Sequence, residues 1–217
     1  MKIRVLVADD HKITREGLIN MLKAQPGIEV VGDAEDGRAA AALARKLKPD
    51  VVIMDVSMPD LNGMDATRKI TAGSGEVKVI ALSMYSDKRY VTGMIRAGAR
   101  GYLLKDCSFE ELMRAVRAVA RNQAYLSPQV TSVMIDELLE RGERSREPLN
   151  KTMTLREREI LQLIAEGMTT TEIARHLNLS VKTVESHRRQ LMEKAGVHSV
   201  AALTKFAIKE GLTSTDT

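Results

Sequence analysis

The chain has 217 residues, 44% of them hydrophobic, and a formal net charge of only +4 at pH 7. This length and composition suit one large or two small globular domains, and no apolar run approaches the ~20 residues that cross a bilayer. The single cysteine, Cys107, cannot form an internal disulfide and the N-terminal residues enter a predicted strand without a signal peptide, so we expect a cytoplasmic protein with no membrane association.

The first half of the chain alternates short apolar runs with segments of helical spacing. Strands are predicted over residues 3–8, 28–34, 51–55, 77–83 and 100–104, and helices over residues 13–25, 37–48, 63–72, 87–97 and 108–122. The runs are too short and too apolar for surface helices, which is typical of strands buried on both faces of a parallel sheet. The alternation predicts an α/β domain in residues 1–122, with a doubly wound parallel sheet of five strands.

Polar side chains stand at the ends of four of these strands. Asp9 and Asp10 follow the first, Asp55 ends the third, Ser83 ends the fourth and Lys105 follows the fifth. Open parallel sheets bind ligands outside the carboxyl ends of their strands, so these side chains should converge. Carboxylates and phosphate are the ligands that Mg²⁺ prefers, and a carboxylate can accept a phosphoryl group whose charge an ammonium neutralises. The sequence therefore predicts a Mg²⁺-dependent phosphoryl-transfer site.

Residues 123–151 are predicted to connect the two halves of the chain. They begin with an amphipathic helix over residues 128–141. The apolar side of this helix carries Val130, Val133, Met134 and Leu138. Residues 142–151 are polar and interrupted by Pro148, as expected of a linker.

Residues 152–217 show only helical spacing and predict a small all-α domain of four helices. The helices lie near residues 155–166, 170–177, 181–195 and 199–210. Thr154 or Thr152 would cap the first helix and Ser180 the third, because a side-chain hydroxyl accepts an otherwise unpaired backbone N–H. Glycines 167, 196 and 211 would end three of the helices.

The second and third of these helices have the spacing of a helix-turn-helix. Val181, Val184 and Leu191 would face inward on the third helix, leaving polar and basic side chains outward, where a DNA major groove could accept them. Residues 151–217 hold 10 Lys/Arg against 8 Asp/Glu, so bulk charge does not favour nucleic acid. From the spacing alone, a solvated charged face remains the alternative.

The first half resembles the receiver domain of bacterial two-component response regulators. The phrases VLVADDHKITREGL, DVVIMDVSMPDLNGMDATRKI, VIALSM and GARGYLLKD carry the resemblance over about residues 1–122. It implies a flavodoxin-like fold, phosphorylation by a sensor histidine kinase, and one role for each site residue. These are the phosphoacceptor Asp55, the metal ligands Asp9, Asp10, Asp55 and the Ser57 backbone carbonyl, the phosphate-contacting Lys105, and the switch residues Ser83 and Tyr102. Asp106 stands where many receivers have proline, so a cis peptide bond after Lys105 is not expected.

The second half resembles the LuxR-type helix-turn-helix of NarL/FixJ-type response regulators, over about residues 152–211. LREREILQLIAEG, EIA and LSVKTVESHR are the matching phrases. The resemblance implies a homodimer on a double-stranded DNA operator and leaves room for contact with RNA polymerase. It assigns base reading to Glu185, Ser186 and Arg189, phosphate contacts to Lys182, Thr183, His187 and Arg188, and dimerisation to Val200, Leu203 and Phe206. Thr169-Thr170-Thr171 and Val200 depart from the usual family residues.

Two other functions use parts of the same pattern. A Mg²⁺-dependent phosphatase would also use an aspartyl phosphate, but it needs a general acid/base two residues after the nucleophile, where this chain has Ser57. We therefore expect slow self-dephosphorylation rather than a multiple-turnover enzyme. An RNA-binding module would need aromatic side chains for base stacking, and aromatic residues make up only 3% of the chain.

Overall fold

The computed structural model describes residues 2–73, 76–144 and 153–213. The chain divides into two compact units, Met1–Ser145 and Arg146–Thr217. The alternative cap Thr152, most of the predicted linker with Pro148, and the side chain of Leu138 lie outside the described residues. We refer to the first unit as the receiver unit and to the second as the helical unit.

The receiver unit contains all ten elements predicted for residues 1–122, with ends within two residues of the prediction. In chain order its elements are β1 (Ile3–Ala8), α1 (Lys12–Lys23), β2 (Ile28–Ala34), α2 (Gly37–Leu47), β3 (Val51–Asp55), α3 (Gly63–Gly73), β4 (Lys78–Ser83), α4 (Lys88–Arg96), β5 (Gly101–Leu104), α5 (Phe109–Ala120), β6 (Tyr125–Leu126) and α6 (Pro128–Arg144). The doubly wound α/β fold is confirmed.

All strands of the sheet are parallel, in the order β2-β1-β3-β4-β5-β6. Alternate residues of the strands feed two apolar layers, one on each face: Leu6 and Val52 lie in the first layer, Val5 and Ile53 in the second. Both layers are covered by helices, which explains why the strands are apolar at nearly every position. The predicted number of five strands is wrong, because β6 has only two residues and is too short to show a pattern.

Helix α6 packs on the receiver unit beside α4. Val130 is fully buried, and Val133 and Met134 pack against the same apolar layer. The helix extends to Arg144, three residues beyond its predicted end. The segment that the sequence assigns to a connection is thus helical through residue 144 and packs on the rest of the unit through residues 130–137.

The helical unit consists of α7 (Leu155–Ala165), α8 (Thr170–His176), α9 (Val181–Ala195) and α10 (Val200–Lys209). Thr154 caps α7 in a reciprocal capping box, and Ser180 caps α9. Lys194 on α9 binds both carboxylate oxygens of Glu157 on α7 at 2.7 Å, which fixes the two helices against each other. The unit has its own apolar core of buried leucines, isoleucines, valines and alanines.

Candidate phosphoryl-transfer site and nucleic-acid interface

The charged side chains predicted at the strand ends meet at one edge of the sheet. Lys105 places its Nζ 2.6 Å from Oδ2 of Asp55 and 2.7 Å from Oδ2 of Asp9. Asp55 is only 4% exposed and Asp9 only 2%. The convergence follows from topology, because β1 and β3 are neighbours and the backbone N–H of Lys105 donates to the carbonyl of Ser83 at the end of β4. One ammonium therefore bridges two buried carboxylates.

The electrostatics of this edge favour the arrival of another cation. Burial raises the pKa of Asp55 to about 6, and attraction to Lys105 only partly offsets the burial. For Lys105, burial alone would lower the pKa, but attraction to Asp55 and Asp9 outweighs it and the pKa is raised. The ammonium therefore stays charged, and the remaining negative charge of the carboxylates is incompletely neutralised.

The acidic edge fits the coordination chemistry of a hard divalent cation. Asp9, Asp10, His11 and Asp55 each offer a ligand atom within 4.8 Å of the others. Carboxylate oxygens at such separations suit Mg²⁺, which usually takes one or two carboxylates and keeps several waters. Ser57 lies two residues beyond Asp55, but the metal role of its carbonyl stays a prediction. No cis peptide bond occurs in the described residues, so the bond after Lys105 is trans.

The loop after Asp55 is held tightly against the predicted phosphoacceptor. Oδ1 of Asp55 accepts the backbone N–H of Val56 at 2.6 Å. Gly63 donates its backbone N–H to the carbonyl of Val56, and a Cβ at Gly63 would lie 1.9 Å from the carbonyl oxygen of Asp55. Only glycine allows this close approach. The start of α3 therefore fixes the backbone of Asp55.

Both predicted switch residues contact the segment that leads into α4. Ser83 is fully buried, and its Oγ accepts the backbone N–H of Tyr85 at 3.0 Å. Tyr102 is also fully buried and donates its hydroxyl to the carbonyl of Tyr85 at 2.6 Å. Tyr85 in turn stacks on Tyr90 of α4 with ring centroids 4.6 Å apart. The edge of the sheet that holds Asp55, the predicted phosphoacceptor edge, is thus connected to α4 through Tyr85.

Two residues of the site were not singled out by the sequence analysis. Arg15 on α1 is buried, and its guanidinium donates to the backbone carbonyl of Asp9 and to Asp33. It shares the buried face of α1 with Leu18 and Leu22, so a charge on an apolar helix face was the available signal. His11 lies against the acidic pair, with its Nδ1 2.9 Å from Oδ1 of Asp10.

We expect Asp55→Asn to stabilise the metal-free protein at pH 7.5 and to have little effect on stability near pH 4. In the folded protein the pKa of Asp55 is about 6, above the ordinary value of 3.8, so wild-type stability falls as the pH rises between those values. Two pK units correspond to on the order of 3 kcal/mol. Thermal unfolding in the presence of EDTA at both pH values measures the change in stability. Asp106→Asn, at an exposed neighbouring carboxylate, is the control. An equal shift at both pH values would contradict the pKa.

The predicted recognition helix presents its polar residues unevenly to solvent. Lys182, Glu185, Ser186 and Arg189 are exposed, whereas Thr183, His187 and Arg188 are half-buried. Thr183 also binds the capping Ser180 through its hydroxyl, at 2.7 Å. The three residues assigned to base reading therefore lie on the accessible side of α9, as that role requires.

Four apolar residues of the helical unit show how far the predicted inward and dimer positions hold. Val181 was expected inside but is 41% exposed, because it is the first residue of α9 and lies beyond the core. Leu203 was assigned to dimerisation but is fully buried in the core of its own unit, so it has no surface to offer a second copy. Phe206 is half-buried, and Val200 is 41% exposed at the start of α10.

A search of the described residues finds no helix long and apolar enough to span a membrane.

Comparisons with known families match the two units separately. Residues 5–117 match the family described as "Response regulator receiver domain". Residues 151–207 match the family described as "Bacterial regulatory proteins, luxR family". The two matches cover the predicted phosphoacceptor edge and the predicted recognition helix, respectively.

The similarity to whole proteins extends over both units. The chain is 38% identical to the transcriptional regulatory protein DegU of Brevibacillus brevis over 97% of this chain and 94% of DegU. It is 38% identical to the oxygen regulatory protein NreC of Staphylococcus carnosus strain TM300, over 97% of this chain and 99% of NreC.

Solved structures show the same arrangement of domains along the chain. The response regulator ChrA of a heme-sensing two-component system has 32% identity and a TM-score of 0.53, covering 97% of this chain and 98% of ChrA. RcsB from Salmonella enterica serovar Typhimurium, bound to promoter rprA with the phosphomimetic BeF3−, has 28% identity and a TM-score of 0.61. The match covers 96% of this chain and 99% of RcsB. With both domains matched in order and over nearly the whole length, the chain belongs to the NarL/FixJ-type response regulators, DNA-binding transcriptional regulators that join a receiver domain to a LuxR-type helix-turn-helix.

Proposed function

We propose that a sensor histidine kinase phosphorylates Asp55, and that this phosphorylation controls sequence-specific DNA binding by the helical unit. The observation that carries the proposal is the ammonium of Lys105 lying between Asp55 and Asp9, at 2.6 and 2.7 Å. An ammonium in that place can bind the carboxylate of Asp55 and then the phosphoryl group that is transferred to it. Phosphoryl transfer depends mainly on such positioning and charge neutralisation.

Each residue of the site would have its own role in phosphoryl transfer to Asp55. Asp55 supplies the attacking oxygen, and the hydrogen bond from Val56 orients its carboxylate. Asp9, Asp10, Asp55 and the Ser57 carbonyl would hold Mg²⁺, which neutralises charge on the phosphoryl oxygens. Arg15 holds the backbone of Asp9 in place. Ser83, now hydrogen-bonded to Tyr85, has a hydroxyl that can turn to a phosphoryl oxygen.

The site supports a phosphoacceptor better than a phosphatase. A phosphatase turning over many substrates needs a general acid/base next to the aspartyl phosphate. The residue two positions after Asp55 is Ser57, which cannot play that role at neutral pH. We therefore propose that the aspartyl phosphate is lost only by slow hydrolysis and that the protein is not a multiple-turnover enzyme.

We propose that two helical units bind adjacent half-sites of a DNA operator as a homodimer. A related structure supports this, since it contains two RcsB dimers bound to two parallel DNAs. Val200 is exposed and lies at the start of α10, the helix assigned to pairing, so the dimer contact would use Val200 rather than the buried Leu203. A protein that binds chromosomal DNA acts in the cytoplasm, and a contact with RNA polymerase would fit activation.

DNA binding measured in both phosphorylation states tests the proposed function. We expect the isolated helical unit, residues 146–217, to bind DNA without phosphorylation, because it has its own core and exposed recognition residues. The resemblance implies that the unphosphorylated receiver covers part of that surface, so the full-length protein should bind at least about tenfold more weakly until it is phosphorylated, as typical coupling energies allow.

The probe is a DNA site first selected from random sequences with the isolated unit, and the readout is a gel-shift titration. Acetyl phosphate with Mg²⁺ supplies the phosphoryl group. Val200→Glu should reduce cooperative binding to paired half-sites while leaving binding to one half-site intact. If the unphosphorylated full-length protein binds DNA as tightly as the isolated helical unit, the receiver unit does not inhibit DNA binding.

A further inference from the structure

One carboxylate of α6 binds cations from both ends of α4. Glu137 places Oε2 2.8 Å from Nζ of Lys88 and Oε1 3.0 Å from Nη2 of Arg96. Lys88 is the first residue of α4 and Arg96 is its last. The Glu137 side chain is only 13% exposed, so its interactions are shielded more than those of a surface ion pair.

The two cations belong to residues eight positions apart, which is about 12 Å along a helix axis. Their long side chains have to converge on one carboxylate. A shift or tilt of α4 by a few ångströms relative to α6 would take at least one of them out of hydrogen-bond range. Glu137 is therefore sensitive to the position of α4 in a way that a single ion pair would not be.

The burial of the apolar side chains of α6 decreases from Val130 toward Glu137. Val130 near the start of α6 is fully buried, whereas Val133 and Met134 are only partly buried. On the outer side Ile135 is 51% exposed. The start of α6 is therefore anchored by apolar packing, and beyond that anchor Glu137 links the helix to α4.

The position of α4 is in turn connected to the phosphoacceptor edge. Ser83 and Tyr102 both bind Tyr85, which stacks on Tyr90 of α4. The backbone N–H of Ser127, just before α6, also donates to the carbonyl of Tyr102. If Ser83 turns its hydroxyl toward a phosphoryl group, the bond from the backbone N–H of Tyr85 is weakened, and one of the contacts that position Tyr85 beside α4 changes.

We propose that the surface of α4 is a docking site for α6 of the same chain, and that phosphorylation of Asp55 releases α6 beyond its anchored first turns. Glu137 is the residue that senses the change, through Lys88 and Arg96. Released residues of α6 would directly precede the helical unit, so the docking state of α6 passes the phosphorylation signal along the chain. This inference rests on the proposed phosphorylation of Asp55.

Hydrogen exchange of the full-length protein, followed by mass spectrometry, tests the release. Phosphorylation by acetyl phosphate and Mg²⁺ should raise the exchange rates of α6 amides after residue 134 about tenfold, within the usual range of coupling between sites. Glu137→Lys should give the same increase without phosphorylation. The matched control is Asp136→Lys, which makes the same charge change at an exposed neighbour on the same helix.

The charge-swapped triple variant Glu137→Lys, Lys88→Glu, Arg96→Glu should restore slow exchange, because it rebuilds the attraction with opposite signs. If Glu137→Lys also loses protection in β1 and β3, the conservative Glu137→Gln replaces it and should give a smaller increase confined to α6. The mass of the intact protein reports Asp55 phosphorylation in the same samples. Full phosphorylation with unchanged exchange in α6 overturns the release, whereas absence of phosphorylation overturns the proposed function instead.

Discussion

Replacing Asp55 with asparagine is expected to abolish phosphorylation of the protein by acetyl phosphate or by a kinase. The amide oxygen of asparagine is a poor nucleophile, and no other carboxylate of this edge has the same surroundings. Asp9 shares Lys105 with Asp55, but Asp9 precedes α1, with its carbonyl held by Arg15 and its Oδ1 by the backbone of His11. The intact mass, measured after incubation with Mg²⁺ and phosphodonor, should rise by one phosphoryl group only where Asp55 is present.

Two companion measurements make this result specific. Asp106→Asn, at an exposed carboxylate next to Lys105, should be phosphorylated as the wild type is. Removal of Mg²⁺ by EDTA should stop the transfer, since the carboxylates at this edge would then repel the phosphodonor. A label that persists at full level in Asp55→Asn would assign the phosphoacceptor elsewhere, and transfer that is unaffected by EDTA would remove the metal role from Asp9 and Asp10.

On the recognition helix, Arg189→Ala and Lys182→Ala are expected to weaken DNA binding in different ways. Arg189 is exposed about two turns along α9 from its N-terminus, where a guanidinium can reach a base edge. Its loss should reduce the binding free energy on the selected site by about 1–3 kcal/mol and relax the base preference at one position of that site. Lys182 is exposed at the N-terminal end of α9 and is assigned to a phosphate. Its loss should weaken binding to all sequences and flatten the salt dependence.

Binding to the selected and to a scrambled DNA at two salt concentrations separates these two effects. Lys205→Ala provides the control, because this exposed lysine on α10 has the same charge but lies outside the recognition helix. An equal loss on both DNA sequences for Arg189→Ala would show that Arg189 contacts the backbone. An unchanged salt dependence for Lys182→Ala would show that Lys182 contacts no phosphate.

Most of the receiver fold and its site could be predicted from the sequence, because the strands are buried on both faces. Runs such as residues 51–54 are apolar throughout, and the polar residue at the carboxyl end of each run marks the edge where ligands bind. Once the strands were placed, topology alone brought Asp9, Asp55 and Lys105 together. The helix ends were equally readable, since Thr154 and Ser180 cap the helices predicted for them.

Features that depend on what a surface packs against could not be predicted in this way. The spacing of α6 shows that one side is apolar, but not that this side covers α4 or that Glu137 meets Lys88 and Arg96. The same limit applies to Leu203, whose helical spacing fits a core and a dimer contact equally well. A buried Arg15 contradicts the usual preference of arginine for solvent, and only its partners explain it.

The two-residue strand β6 has a consequence for where this receiver ends. It pairs with β5, and the backbone N–H of Ser127 then binds the carbonyl of Tyr102, so the edge of β5 is covered. A receiver cut at residue 122 would expose that edge and uncover the site filled by Val130, and an uncovered strand edge invites pairing with other chains and aggregation. The smallest self-contained receiver of this chain therefore includes β6 and the start of α6.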